Sequence, residues 1–401
     1  MDESRQRRIN LIKQIEEKRN SKVIAYITSD RQNLAVSIAS DIIPLLHEHI
    51  LSFKDKEREK IDLFIYSRGG DSNVPWALVS MIREYCKKGS FSVLVPFRAH
   101  SAATVISLGA DEVIMTKKGE LGPIDATLSS GPYNPIDENT RMRLPVSVED
   151  VTGYFSLLKR FGCERPDETM EGFRELTKKV HPLALGSVNR TLEETKLVGL
   201  RLLTTRAKPF SEEKNNDIIK KLSSELYSHS HAITRTEAVH FLGLDQVKEA
   251  ESQGIDELMW ALYCEYRELF DLNNPFVPEE YLIKNDIEAN TWDDLKLACI
   301  ESSEKLHICK QSLQVKKLRN IPPNITVSLN QMQFPQIIFP NLPNSITPQQ
   351  QQVILDQAIR AQIQTSIDAA VVKSIDLMLE SFPQKGFEKI AFNTGWVEGA
   401  I

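Results

Sequence analysis

The chain has 401 residues, 26% of them charged and 41% hydrophobic, which suffices for two or three domains and excludes wholesale disorder. Its formal net charge of −6 gives no basic footprint for nucleic acid. Five widely spaced cysteines without a C-x-x-C pair argue against a disulfide framework or a zinc ribbon, and they indicate a reducing compartment.

Membrane and cofactor signals are missing from the sequence. No apolar run is long enough for a transmembrane helix, and the N-terminus lacks the apolar core of a signal peptide. We therefore expect a cytoplasmic protein without a membrane span. Neither a G-x-G-x-x-G motif nor a P-loop lysine occurs, so we expect no cofactor and no metal. Any unfolding ATPase would be a separate regulatory protein.

Short apolar runs alternate with helical patterns in the first part of the chain. An amphipathic helix is predicted over 7–18, because isoleucines recur there at helical spacing. This alternation indicates βαβ units and an α/β fold, and unbroken apolarity indicates strands buried on both faces. The predicted strands are 22–28, 61–66, 91–96 and 112–115, with helices between them at 34–51, 74–86 and 101–110.

The second half of the sequence changes character twice. Residues 146–270 are predicted to be mostly helical, whereas 320–343 are rich in Pro, Asn and Gln and are interpreted as a linker with one or two strands. A long helix is predicted to begin at Thr347-Pro348, an N-cap followed by proline at the first helical position. Its large apolar residues recur at every fourth position: Leu355, Ile359, Ile363, Ile367, Val371, Ile375 and Leu379.

These changes predict three segments. Residues 1–275 would form the main α/β domain, 276–343 a linker with short strands, and 344–401 a helical segment for oligomerisation or partner binding. A strict i+4 stripe drifts slowly around a helix, so it can bury against a curved surface. Packing on its own domain and contact with another subunit both remain open.

Three features follow successive predicted strands. Gly69 and Gly70 would let backbone N–H groups turn outward with no Cβ in the way, although a purely structural turn fits as well. Ser101 stands where a strand gives way to a helix, with the N–H of Ala102 beside its hydroxyl, and simple helix capping is the alternative. Asp125 follows the next strand, where it could also cap a turn. Their order and spacing together favour a catalytic site.

This order of motifs resembles the ClpP/crotonase superfamily. A closer similarity, to the serine dehydrogenase proteinase family and its relative signal peptide peptidase A, is carried by FIYSRGGDSNVPWALVSMIREY, VLVPFRAHSAATVISLGADEVIM and GELGPIDAT. The similarity covers about residues 7–250. It implies a Clp-like α/β fold of stacked βαβ units with a helical arm, followed by a C-terminal extension with a short β-rich linker and a long helix.

The resemblance also assigns a catalytic triad. In that family the order along the chain is Ser, Asp, His, which implies Ser101 as nucleophile, Asp125 as acid and His229 as base. His231 lies two residues further on and remains a rival for the base. A Ser–Lys dyad, as in signal peptide peptidase A, is disfavoured because arginines stand where those relatives place the lysine, and arginine stays protonated.

The same resemblance implies an oxyanion hole made by the N–H groups of Gly70 and Ala102, with Gly69 permitting the turn. Arg68 stands where Clp-type relatives usually carry a proline, which points to an acidic or C-terminal group in the substrate. The polar loop 129–145 is too long for a simple turn, so it is either a substrate-binding flap or an oligomer contact.

The expected function is that of a soluble, homo-oligomeric serine endopeptidase that hydrolyses peptides or unfolded protein segments. Two alternatives stay open. One is a catalytically inactive Clp-fold scaffold that recruits partners through its C-terminal helix. The other is a crotonase-like acyl-CoA enzyme that uses the same oxyanion hole without a serine nucleophile.

Overall fold

In the computed structural model of the protein, the described residues are 3–54, 60–87, 89–124, 127–128, 131–138, 140–226, 228, 230–320 and 347–399. They fall into two units. Unit 1 comprises Met1–Phe276, Asp294–Gln311 and Asn393–Ile401, and unit 2 comprises Val277–Asp293 and Ser312–Phe392. No helix within the described ranges is long and apolar enough to cross a membrane.

Strands and helices alternate at the start of unit 1, as the sequence predicts. The strands are nearly all apolar, and they pair in parallel from β1 to β2, β2 to β3 and β3 to β5. The elements are α1 (Glu3–Arg19), β1 (Lys22–Thr28), α2 (Ile42–Ser52), β2 (Ile61–Tyr66), α3 (Val74–Tyr85), β3 (Phe91–Val95), β4 (Arg98–Ala99), α4 (Ala102–Leu108) and β5 (Glu112–Met115).

The next part of unit 1, from β6 to α10, is mostly helical and adds one more strand to the sheet. Its last strand, β10, pairs in parallel with β5. The elements are β6 (Glu120–Leu121), β7 (Thr127–Leu128), β8 (Val146–Ser147), α5 (Val148–Arg160), α6 (Pro166–Thr177), α7 (Pro182–Thr205), α8 (Glu212–Lys220), a π-helical turn (Lys221–Glu225), β9 (Ile233–Thr234), α9 (Arg235–His240), β10 (Val247–Glu249) and α10 (Asp256–Leu269).

The C-terminal part contains more strand than the sequence predicts. A linker with short strands was expected over 276–343, but β11 and β12 are 13 and 14 residues long, and a further strand of 15 residues follows the long helix. Residues 321–346 lie outside the described residues. The elements are α11 (Pro278–Lys284), β11 (Ala289–Glu301), β12 (Leu306–Arg319), α12 (Pro348–Ser381) and β13 (Gln384–Glu398).

The central sheet has the strand order β10-β5-β3-β2-β1-β11-β12-β13, with β11 antiparallel to β1. Successive residues of β1 enter two different cores. Ile24 and Tyr26 pack in a core with α2, α3 and α4, whereas Ala25 and Ile27 pack in a second core with α1 and α10. The strands are therefore buried on both faces, which confirms the α/β fold class and explains their unbroken apolar sequence.

Unit 2 holds the long helix α12, and the predicted N-cap and proline lie at its start. All seven residues of the apolar stripe, Leu355 to Leu379, are half-buried, while Val353 and Val372, which are not part of the stripe, are exposed. The stripe is therefore the more covered side of the helix, and none of its residues is fully buried within this single chain.

Candidate active site

Ser101 occupies a strained turn between β4 and α4. Its backbone has φ 49° and ψ −116°, and its side chain makes no capping hydrogen bond to the helix. A positive φ is uncommon for a residue with a Cβ, and such strain persists where the surroundings enforce it. The structure therefore disfavours the helix-capping interpretation, and among the residues that it describes the hydroxyl of Ser101 has no hydrogen-bond partner.

The turn is enforced by the end of β2. The N–H of Ser67 donates to Arg98 O and the N–H of His100 donates to Ser67 O, both at 3.0 Å. The hydroxyl of Ser67 accepts from Gly69 N at 3.0 Å and from the Thr28 hydroxyl at 2.9 Å. These bonds fix the backbone directly before the glycine pair against the segment that carries Ser101.

The glycine pair is in close contact with two other segments. Gly69 has φ 104°, and a Cβ built on it would lie 2.6 Å from the Cβ of Ser101. A Cβ on Gly70 would lie 2.2 Å from Ile38 O, because the backbone of Ile38 pairs with this segment. Only glycine fits either position, so the two glycines are required by contact as well as by backbone conformation.

Two backbone N–H groups beside this turn have no partner. Ile38 bonds to the C=O of Gly69 and to the N–H of Asp71, and it leaves the N–H of Gly70 unused. Within the described residues, neither the Gly70 N–H nor the Ala102 N–H donates a hydrogen bond. Free donors of this kind can receive a developing negative charge on a substrate oxygen.

Thr104 connects the helix of Ser101 to the segment that precedes Asp125. Its hydroxyl lies 2.7 Å from Ala99 O, 3.0 Å from Gly122 O and 2.9 Å from Gly122 N. Ile124 N then donates to Leu222 O at 3.0 Å. Asp125 itself lies outside the described residues. Thr104 could not be predicted as a site residue from the sequence, because its role depends on its contacts with Gly122, which form only in the folded chain.

Of the two histidines proposed as the base, the structure describes only His231. His229 lies outside the described residues. The Nε2 of His231 lies 2.8 Å from Glu237 Oε1, and its backbone N–H donates to Ser228 O. The side chain of His231 is therefore already paired with a carboxylate on α9. Which of the two histidines acts as base stays a prediction.

His100, the neighbour of Ser101, is occupied elsewhere. Its Nε2 lies 3.2 Å from Glu120 Oε1, and its ring is so close to Gly122 that a Cβ there would lie 3.0 Å from it. Burial lowers the pKa of the His100 ring, and Glu120 acts in the opposite direction. The ring therefore faces Glu120 and Gly122.

A cavity of about 640 Å³ is lined in part by residues that precede Asp125 and His229 closely in the sequence. Pro123 and Ser228 are among its lining residues, and most of the wall comes from α5, α7 and the π-helical turn. The apolar part of the wall includes Val148, Leu157, Leu192, Leu222 and Leu226. The cavity is large enough for a bulky apolar side chain of a bound peptide.

A parallel sheet, a glycine pair and a serine on a strained turn at the next strand end define a ClpP-like fold. Residues 1–159 match the family described as ClpP-like SDH-type serine proteinase. This match confirms, for the N-terminal part of the chain, the resemblance seen in the sequence.

Similar proteins extend the likeness beyond residue 159. Over 234 residues the chain is 25% identical to the uncharacterized protein MJ1495 of Methanocaldococcus jannaschii, covering 57% of this chain and 68% of that protein. Over 247 residues it is 25% identical to the uncharacterized protein MJ0137 of the same organism, covering 59% and 72%. A solved mutant of the 1510-N membrane-bound stomatin-specific protease matches with 17% identity and a TM-score of 0.23, over 37% of this chain and 69% of that one.

Proposed function

We propose that the protein is a serine endopeptidase in which Ser101 is the nucleophile, Asp125 the acid and His229 the base. The observation that carries the proposal is the strained Ser101 turn in contact with Gly69, beside two N–H groups that have no partner in the described part of the chain. The match of residues 1–159 to a family of serine proteinases supports the same reaction.

In the proposed mechanism His229 removes the proton of Ser101 as its oxygen attacks a peptide carbonyl. Asp125 holds the imidazole in the required tautomer and stabilises its cation. The N–H groups of Gly70 and Ala102 then receive the oxyanion, each contributing about 3–4 kcal/mol by comparison with measured oxyanion holes. Protonated His229 returns its proton to the leaving amine, and water releases the acyl group.

The proposed substrate is a peptide or an unfolded protein segment. An apolar side chain of that substrate would enter the cavity of about 640 Å³ beside Pro123 and Ser228. The half-buried stripe of α12 supports the proposal of a homo-oligomer, because a partner subunit would complete its burial.

Hydrolysis of an unfolded protein such as reduced, alkylated lactalbumin tests the proposal. The parent and a Ser252→Ala variant, which removes an exposed hydroxyl far along the chain, should both cleave it. Ser101→Ala should not cleave it. Equal cleavage by Ser101→Ala would exclude Ser101 as nucleophile, and failure of all three proteins would favour a scaffold or an acyl-CoA enzyme.

A further inference from the structure

A second cavity lies next to the glycine pair, on the side of Arg68. Its volume is about 340 Å³, and its lining includes Asp30, Tyr66, Arg68, Arg98, Tyr263 and Asn273. Arg68 directly precedes Gly69, the residue in contact with Ser101, and Arg98 is on β4, which leads into the Ser101 turn. Arg98 is therefore three positions before the proposed nucleophile in the sequence, and Arg68 is next to a residue that contacts this nucleophile in space.

Asp30 holds the two arginines in place. One carboxylate oxygen accepts from the Tyr66 hydroxyl at 2.7 Å, and the other accepts from Arg68 Nε and from Arg98 Nη1, each at 3.0 Å. Glu120 adds a bond to Arg98 Nε at 2.9 Å. The side chains are thereby ordered before any ligand arrives, which lowers the entropic cost of binding one.

Most guanidinium donors of this pair remain free. A guanidinium has five N–H donors, and in the described part of the chain Arg68 uses only Nε, for Asp30, while both of its terminal nitrogens make no bond. Arg98 likewise keeps Nη2 unbonded. The Arg68 side chain is 56% exposed, so its free end is accessible to a ligand.

The exposed end of Arg68 is the positive charge that a ligand can reach in this cavity. Two carboxylates, Asp30 and Glu120, already pair with the two arginines, so the cluster is neutral overall and the attraction for an anion is local to the free guanidinium nitrogens. The guanidinium of Arg98 lies 4.3 Å from the centre of the Phe97 ring, which helps to fix its orientation at the edge of the cavity. A planar guanidinium fork with free terminal nitrogens fits a carboxylate, which it can bind through two parallel hydrogen bonds.

We propose that Arg68, positioned by Asp30 and assisted by Arg98, binds a carboxylate of the peptide substrate close to the scissile bond. This inference rests on the proposed peptidase function, because it assigns the cavity to the same substrate. The carboxylate is either the C-terminus of the peptide or the side chain of an Asp or Glu residue. The cavity thus makes the protein selective for acidic or C-terminal peptide segments.

Binding to the full-length Ser101→Ala variant tests the inference without any hydrolysis. Pools of random decapeptides carry an uncharged fluorophore at the N-terminus. One pair of pools differs only in a C-terminal carboxylate or amide, and a second amidated pair differs in Asp or Asn at one internal position. Fluorescence anisotropy should show about 10- to 100-fold tighter binding of a carboxylate pool than of its neutral partner. The pair that shows the difference identifies the source of the carboxylate.

The same titrations are repeated on a Ser101→Ala background with Arg68→Gln or with Arg174→Gln, an exposed arginine on α6. Arg68→Gln should abolish the preference and Arg174→Gln should keep it. Equal affinity for both members of each pair, or an unchanged preference in Arg68→Gln, would overturn the inference, as would binding of inorganic phosphate with no preference among peptides. If the parent protein does not cleave the unfolded protein substrate, the proposed peptidase function is overturned, whatever the result of the binding experiment.

Discussion

Gly69 and Ser101 are in direct contact, so that a Cβ on residue 69 would lie 2.6 Å from the Cβ of Ser101. This contact joins the end of one parallel strand to the turn that follows the next. It places the glycine pair and the serine, which are 32 positions apart in the sequence, in one site. The first prediction follows from it.

Gly69→Ala should reduce peptidase activity by at least 100-fold, because the new methyl group must displace the Ser101 turn. Gly162→Ala is the matched control. Gly162 also has a positive φ, 86°, but a Cβ there meets nothing within 4 Å. Gly162→Ala should lose about 1–2 kcal/mol of unfolding free energy from backbone strain, and Gly69→Ala should lose more, because its methyl group also clashes with His100 O and the Ser101 side chain. If the two variants had equal activity, the contact with Ser101 would have no functional role.

The identity of the base gives a second prediction. His229→Ala should abolish hydrolysis, whereas His231→Ala should retain most of it, because His231 is already paired with Glu237. Asp125→Asn should lower kcat by several orders of magnitude by favouring the wrong imidazole tautomer. Steady-state kinetics on the three variants, compared with the parent, show which histidine acts as the base and whether Asp125 is the acid. Strong loss in His231→Ala with normal rates in His229→Ala would reverse the assignment.

A buried histidine pair should make folding stability depend on pH. His49 Nδ1 lies 2.8 Å from the Ser302 hydroxyl, and its Nε2 lies 3.1 Å from His307 Nδ1. Burial, with repulsion from His307 and from nearby cations, lowers the pKa of His49 to about 3. The folded state therefore keeps the ring neutral, while the unfolded state takes up a proton below its ordinary pKa of about 6.5.

Because the unfolded state binds more protons, stability should fall as pH drops from about 7 toward 3. For His49 alone the loss between pH 7.5 and pH 5.5 is about 1.4 kcal/mol. Urea unfolding of the parent and of His49→Gln at both pH values measures this loss of unfolding free energy. The loss between pH 7.5 and pH 5.5 should be about 1.4 kcal/mol smaller in the variant than in the parent. An equal loss in both proteins would mean that His49 does not titrate on unfolding.

How far the sequence predicts this structure depends on how local the signal is. Strands β1, β2 and β3 were predicted within a residue, because burial on both faces makes each an unbroken apolar run. Strand β13 was missed, because most of its residues are exposed and polar side chains interrupt its pattern. Such strands are determined by their neighbours in the sheet rather than by their own composition.

The candidate site divides in the same way. Ser101 and the glycine pair could be predicted from motifs at strand ends. The pairing of Arg98 with Asp30, 68 positions apart, could not be predicted, and neither could the bonds from Thr104 to Gly122. These contacts form only when strands distant in the sequence become neighbours in the fold, so no local sequence pattern predicts them.

The stripe on α12 gives a prediction about assembly. Ile363→Asp combined with Ile367→Asp should reduce the number of subunits, because it places charges on the half-buried side of the helix. Thr365→Asp, at an exposed position on the opposite side of the helix from Ile363 and Ile367, should leave that number unchanged. Light scattering gives the mass of each protein. A monomeric parent, or an unchanged mass in the double variant, would confine the stripe to its own chain or to a foreign partner.

The central claim is that Ser101 is an activated nucleophile. The most direct measurement is to treat the parent protein with a fluorophosphonate and locate the adduct by peptide mapping and mass spectrometry. We expect one adduct per chain, on Ser101, formed much more slowly in His229→Ala. No adduct on the folded protein, or an adduct on a different serine, would contradict the claim.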